Sequence, residues 1–314
     1  MADFSDLQAK VGAYFQENKT EIFTQLLLDP SYDTNLELEP NVNDEMVYPR
    51  LDVTASARPF NYNYTATDNK DWTASKLKVQ YGMIAEQVKS KEYYQNYEKL
   101  GVKGNFDPNT IALEQFITDE VIRANQYALR TQTVWKGVHN PSGTGILDVF
   151  DGFHKKLVDF VDDEEVVTPL TGVGTPTASN IDDAINEVAA ALPLAVRGQK
   201  DAQILVSEEL FIWYKWKLKA LNNGVDIQLL PDGSIQHPDY KNIKVKEEVF
   251  LTLDNSKLIL GGYKRLFQVG TNMSAINNFT SKTFDRGLYF DLLFTFAMGT
   301  NIPWHEYVKI NDEL

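Results

Sequence analysis

The stretch from Asp107 to Leu147 constrains this chain more than any other, because it reads as one very long helix that empties into a glycine-rich hinge. Asp107 is a good N-cap, and Pro108 stands at the first helical position, where its missing N–H is no loss. Apolar residues then recur at Leu113, Phe116/Ile117, Val121, Ala124, Tyr127/Ala128 and Val134/Trp135, the spacing of a one-sided stripe. Gly137 is the expected stop, since glycine takes the left-handed conformation past a helix end without penalty. Roughly 29 residues at ~1.5 Å each make a rod of about 40 Å, far above the mean helix length. A lone helix of that length is a strut, and it points to architecture before chemistry.

The rest of the composition is that of an ordinary globular protein: 314 residues, 43% hydrophobic and 24% charged, enough for one large domain or two modest ones. There are no cysteines, which removes disulfide frameworks, thiolate metal sites and cysteine nucleophiles together. Met1 to Lys19 lacks a basic-then-apolar leader pattern, and no apolar run approaches ~18 residues, so a soluble protein made in the cytosol, with no membrane partner, is expected. A net charge of −14 argues against a tightly gripped nucleic acid, because phosphate binding needs clustered Lys and Arg.

Along the chain, Phe4, Leu7, Val11, Tyr14/Phe15, Ile22 and Leu26 mark an amphipathic N-terminal helix, either docked on its own body or lying as an arm on a neighbour. From Met46 to Met83 three alternating runs (Val47/Leu51/Val53, Phe60/Tyr62/Tyr64 and Leu77/Val79/Tyr81) suggest a long two-stranded excursion, with Asp68-Asn69-Lys70-Asp71 as the turn between the last two. An isolated hairpin is marginal in water, so this ribbon should lie on something else. Beyond the hinge the pattern predicts a helix over Val149 to Phe160, another from Asn180 to Leu192, a buried strand Ile204-Leu205-Val206, and a helix capped by Ser207 that stops at Asn222-Asn223-Gly224. Asp232-Gly233 reads as a hairpin turn, Val245 to Leu253 and Leu258 to Leu260 as strands, and Leu288 to Met298 as one long strand. Helices interleaved with antiparallel-looking strands indicate an α+β fold.

Signatures of catalysis are missing. His139, His154, His237 and His305 are scattered, with no second ligand at metal spacing. Gly172-Val173-Gly174 and Gly261-Gly262 match neither a dinucleotide fingerprint nor a phosphate loop and read as turns. Ser142 lacks a nucleophile-elbow context. Asp148 and Asp151, with the run Asp162 to Glu165, lack calcium-loop spacing and read as a solvated acidic face. The sequence therefore predicts no catalytic residue, no cofactor and no metal.

The order of these parts resembles the major capsid proteins of tailed bacteriophages, which share the Hong Kong 97 capsid fold, and in style it is nearest those of phages that infect Bacteroidetes. Arg58 to Asp68 resembles the extended loop nearing its tip, Lys76 to Val88 the strand that returns from it, Thr110 to Lys136 the spine helix, and Gly143 to Asp148 the small-residue passage after it. Ile204 to Leu210 resembles the strand–helix unit of the axial domain, and Tyr240 to Val245 with Val249 to Leu260 the strands that follow. The resemblance implies a division into N-terminal helix and arm (1–45), extended β-hairpin loop (46–82), peripheral domain with spine helix (83–148), axial domain (149–260) and a return to the peripheral domain (261–314).

It further implies a structural protein of the virion capsid, assembled in the bacterial cytoplasm as pentamers and hexamers into an icosahedral shell around double-stranded DNA that it touches only non-specifically. A portal is an implied partner. So is a separate scaffolding protein, since no long extension precedes the arm. Assembly residues on this reading are Arg58, Phe60, Tyr62, Tyr64, Asp68, Asn69, Lys70, Asp71 and Trp72 on the ribbon, with Phe4, Leu7, Val11 and Phe15 on the arm. Covalent cross-linking does not carry over, because Lys70 is matched by no recognisable partner residue. Two rival classes are an encapsulin-type nanocompartment shell of the same fold and a cytosolic enzyme or binding module.

Overall fold

The computed structural model describes residues 13–14, 17, 35–53, 70–89, 113–162, 167–222, 224, 229–272, 280–284 and 289–314. The long helix is present: α1 (Leu113–Ala128) runs without a break into a π-helical turn (Leu129–Thr133) and a last α turn (Val134–Lys136). Its expected start at Asp107-Pro108 lies outside the described residues. In α1 the buried positions Ile117, Val121 and Ile122 form the one-sided stripe. Through the π turn burial widens to Leu129, Arg130, Thr131, Thr133, Val134 and Trp135. The wider turn changes which residues face inward, so the helix enters the body here rather than lying on it.

Gly137 does end the helix, but with φ −57° and ψ 141° rather than in the left-handed conformation. Glycine is needed there for space: a Cβ would stand 2.2 Å from the Phe150 carbonyl oxygen and 2.6 Å from that of Thr133. A 3₁₀ turn (Ile146–Asp148) follows, so the next helix, α2 (Phe153–Asp162), starts later than its periodicity predicts.

Two five-stranded sheets frame the molecule. In the first, β11 (Tyr289–Asn301) is the axis: β4 (Gln80–Lys89), β10 (Thr280–Phe284) and β9 (Gln268–Thr271) all pair with it antiparallel, and β1 (Glu37–Pro40) adds parallel to β9. In the second the order is β12 (Lys309–Ile310), β8 (Leu260–Tyr263), β5 (Ala202–Val206), β7 (Lys244–Glu247), β6 (Ile235–Gln236), with β5 and β7 parallel. Strand β5 is buried at every residue because each of its faces meets a separate core. Leu205 joins the main cluster with α1, α2 and the first sheet, while Ile204 and Val206 join a second cluster under α3 (Ile181–Ala191) and α5 (Glu208–Leu221). A short α4 (Leu194–Arg197) links α3 to β5.

Three local expectations are corrected. Val245 to Leu253 is not one strand: β7 ends at Glu247, and Glu248 caps a short helix α6 (Val249–Leu253), its carboxylate accepting the Val249 N–H. Gly261-Gly262 lies inside β8 rather than in a turn, and Gly261 gives room to Val188, whose Cγ1 would meet a Cβ at 2.7 Å. The turn expected at residues 68–71 does not include Lys70 and Asp71. β2 (Glu45–Val53) pairs antiparallel with β3 (Lys70–Lys78), placing Val53 opposite Lys70 and Asp52 opposite Asp71. Lys70 and Asp71 are thus strand residues rather than turn residues, and Asp68 and Asn69 lie outside the described residues. The first and third apolar runs pair with each other, with Leu51 opposite Trp72 and Met46 opposite Leu77, and this cross-strand match outweighs the local turn chemistry of residues 68–71.

Candidate assembly surfaces

The ribbon springs directly from the first sheet. β3 passes into β4 through Val79 alone, whose N–H donates to the Asp44 carbonyl (3.0 Å), and β4 then pairs with β11 over ten positions from Gln80 to Lys89. Successive strand residues point to opposite faces. Met46 and Val47 are both exposed, so both faces of the ribbon are open there.

Its root is fastened at two points. Leu77, Val42, Val79 and Ala297 form a small apolar core. Farther along the same face Arg50 pairs with Glu306 and lies 5.1 Å over the Tyr307 ring, while Asn301 donates to Ser75 Oγ (3.1 Å). A cavity of about 480 Å³ lies among these groups, lined by Tyr48, Arg50, Phe160, Trp304 and His305.

β4 pairs only with β11 among the described residues, which leaves its outer edge open. Tyr81 and Met83 on it are 62% and 69% exposed, unusual for large apolar side chains. Further exposed apolar side chains are Leu194 on α4 and Trp216 and Leu221 on α5.

At the junction of the sheets lies a buried polar node that sequence periodicity does not reveal. Arg130, in the π turn, donates from Nη2 to Glu248 Oε1 at 2.6 Å. Asn35 donates from Nδ2 to Glu248 Oε2 at 2.7 Å, and its own carbonyl accepts from Gln203 Nε2 at 2.7 Å. A groove of about 580 Å³ opens beside the node, with Arg123, Tyr127, Lys246 and Val249 on its walls.

Candidates for chemistry resolve into structural roles. Asp148 accepts the Gly145 N–H (2.8 Å) and Asp151 the His139 N–H (2.9 Å), so each shapes the hinge. Among the described residues no cluster of three or more His, Asp or Glu could hold a metal, and no helix is long and apolar enough to cross a membrane. Burial lowers the pKa of His154, His237 and His305. They lie apart, one beside Trp135, one beside Tyr240 and one beside Phe160.

Of the residues expected to mediate assembly, Lys70, Asp71 and Trp72 stand on β3. Arg58, Phe60, Tyr62, Tyr64, Asp68 and Asn69, with Phe4, Leu7, Val11 and Phe15, lie outside the described residues.

No protein-family model matches the sequence, and no curated protein does. Solved structures do match. The chain superposes on one from the satellite phage P4 procapsid including size determination (Sid) protein, with a TM-score of 0.61 at 11% identity, over 100% of this chain and 98% of that one. The fold is that of a phage capsid chain. A chain from the capsid of Myoviridae phage XM1 aligns with a TM-score of 0.52 at 10% identity, over 91% of this chain and 92% of that one. One from Mycobacterium phage Adephagia gives 0.51 at 13%, over 90% and 89%. At these identities the capsid fold is carried by the order and pairing of elements, not by shared residues.

Proposed function

We propose that this chain is a major capsid protein, a structural tile that assembles as pentamers and hexamers into an icosahedral shell around double-stranded DNA. The observation that carries the reading is the span of the likeness: ribbon, long helix and both sheets fall within one capsid fold covering 100% of this chain and 98% of the P4 procapsid chain. A ribbon open on both faces, an edge strand bearing Tyr81 and Met83, and exposed Trp216, Leu221 and Leu194 are surfaces that neighbouring copies would cover. Heterologous contacts of this kind close into rings about five- and six-fold axes, and many weak contacts act together in a shell.

On this reading residues 46–82 are the extended loop, 83–148 with 261–314 the peripheral domain, 149–260 the axial domain and 1–45 the arm. The ribbon residues Arg58, Phe60, Tyr62, Tyr64, Asp68, Asn69, Lys70, Asp71 and Trp72 lie over a second copy, and Phe4, Leu7, Val11 and Phe15 strap to one. A portal and a separate scaffolding protein complete the set of partners, and assembly takes place in the host cytoplasm before the virion is released. The net charge of −14 fits an inner wall that leaves packed DNA free to exit. Retention of the subunit on DNA at physiological salt would contradict that part.

Negative-stain microscopy and size exclusion of the purified chain test the proposal. Shells, or pentamer and hexamer rings, are expected; a stable monomer at high concentration would refute it, and shells that enclose protein cargo instead of DNA would move it to the nanocompartment class. Because Val53 faces Lys70, a two-residue Asn-Gly turn can replace residues 54–69 and close the ribbon early. That variant is expected to fold and to fail in assembly. Normal shells from it would remove the ribbon from the mechanism.

A further inference from the structure

Asn35, at the entry to β1, is held through both its side chain and its backbone. Both hydrogens of its amide are committed, one to the Glu247 carbonyl at 3.0 Å and one to Glu248 Oε2 at 2.7 Å. Its backbone carbonyl accepts from Gln203 Nε2 at 2.7 Å, on the central strand β5. Leu36 is fully buried, and the Glu37 N–H donates to the Phe267 carbonyl at 2.9 Å as β1 begins.

Glu248 is held just as closely. Its Oε1 accepts from Arg130 Nη2 at 2.6 Å and from the Val249 N–H at 3.1 Å, and the Arg130 guanidinium lies 5.4 Å over the Phe250 ring. Asn35, Arg130, Gln203 and Glu248 are all buried. They come from four separate elements: the entry to β1, the π turn of the long helix, β5 and the cap of α6.

A buried ion pair is a poor source of net stability, because desolvation of both charges offsets their attraction. What it does provide is direction. β1 has only four residues and, among the described residues, joins the sheet through one parallel neighbour, β9, so its own ladder is a weak anchor. The side-chain amide of Asn35 adds what that ladder lacks, two donors aimed at a fixed carbonyl and a fixed carboxylate.

We infer that Glu248 is a positioning residue for β1: through Asn35 it keys the point and direction at which the chain enters the first sheet. Arg130 orients the Glu248 carboxylate, and the π turn delivers Arg130 to it. The purpose of the key, a fixed place for β1 against which neighbouring copies pack, rests on the shell reading; the key itself does not.

Amide hydrogen exchange on two variants of the full chain tests it. The double variant Arg130→Met/Glu248→Leu replaces the ion pair with apolar groups of similar size and takes away the side-chain acceptor of Asn35. The single variant Asn35→Asp leaves the ion pair in place but sets a carboxylate against that of Glu248. In both, exchange at the Leu36, Glu37 and Leu38 amides is expected to rise at least about tenfold relative to the Ala202–Val206 amides of β5, which report global opening.

If β1 and β5 amides accelerate together, or if neither does, the key is refuted and the node is only a packing element. Shell formation by the same variants is scored separately. Failure of the wild-type chain to form shells overturns the shell reading, while the exchange ratio still decides the key.

Discussion

Leu77, near the end of β3, packs so closely on Gly270 of β9 that a Cβ at position 270 would stand 2.7 Å from Leu77 Cδ2. The contact joins the ribbon to the first sheet, and Leu77 is fully buried in the small core it shares with Val42, Val79 and Ala297. The ribbon therefore has a hydrophobic root of its own, separate from the two main cores.

That root yields a double-mutant cycle. Leu77→Ala is expected to cost about 2–4 kcal/mol through the cavity it leaves, and Gly270→Ala about 1–3 kcal/mol through overpacking. Combined, the two should cost clearly less than their sum, because the new methyl enters the space that the leucine vacates. Urea denaturation measures all three. Simple additivity would mean that the contact does not organise the root.

A second contrast separates crowding from backbone strain. Gly137→Ala places a Cβ 2.2 Å from the Phe150 carbonyl oxygen at a φ of −57° that any residue accepts, so its cost is purely steric. Gly174→Ala meets nothing within 4 Å but sits at φ +74°, so its cost is conformational, about 1 kcal/mol. The Gly137 variant is expected to lose about 3 kcal/mol or more. Equal losses in thermal denaturation would contradict this account of the hinge.

The Arg50–Glu306 pair is the polar fastening of the ribbon, and both side chains remain partly exposed, at 26% and 38%. Its contribution to global stability is therefore expected to be at most about 1 kcal/mol. Glu306→Gln should leave the denaturation midpoint nearly unchanged while accelerating proteolysis within the ribbon, since the charge that Arg50 pairs with at position 306 is gone. Ribbon cleavage at the wild-type rate would show that the ion pair does not fasten the root.

The sequence exposed what depends on periodicity and hid what depends on distance. Ile117, Val121 and Val134 lie on a helical stripe, and Ile204 to Val206 form an apolar run bounded by polar residues, so the long helix and the central strand are legible. Val245 to Leu253 misleads because valine, phenylalanine and threonine favour strands, while the break comes from one side chain, Glu248, taking the Val249 N–H. The π turn has no local signature: Arg130 reads as a charge on the flank of the stripe until Glu248, 118 positions later, comes to meet it. Asn35 is farther still, 213 positions from the carboxylate it binds. Lys70 and Asp71 read wrongly as turn residues because the pairing of β2 with β3 is a relation between runs, which a window over either one does not see.

The histidines whose pKa desolvation lowers set the last expectation, a fall in stability toward acid pH. His237 Nδ1 accepts the N–H groups of Asp239 (3.2 Å) and Tyr240 (3.3 Å), which requires that nitrogen to be unprotonated. Burial pushes its pKa below the ordinary 6.5, and the nearby Asp239 opposes this only in part. Burial lowers His154 and His305 as well, with Arg50 adding to the effect at His305. A histidine whose folded pKa is depressed binds more protons when unfolded, so its contribution is fully present above about pH 6.5 and is lost as the pH falls toward the folded value. Glu247, raised by burial and by Glu208 and Glu248, acts in the opposite sense at lower pH. Between pH 7.5 and 5.5 unfolding free energy should therefore decline, with a slope of at most about 1.4 kcal/mol per pH unit for each titrating histidine. His237→Asn, which keeps an acceptor near the Nδ1 position and cannot titrate, should flatten that slope while leaving stability at pH 7.5 close to wild type. An unchanged slope in urea titrations of the variant would show that His237 takes up as many protons folded as unfolded and that the acid sensitivity arises elsewhere.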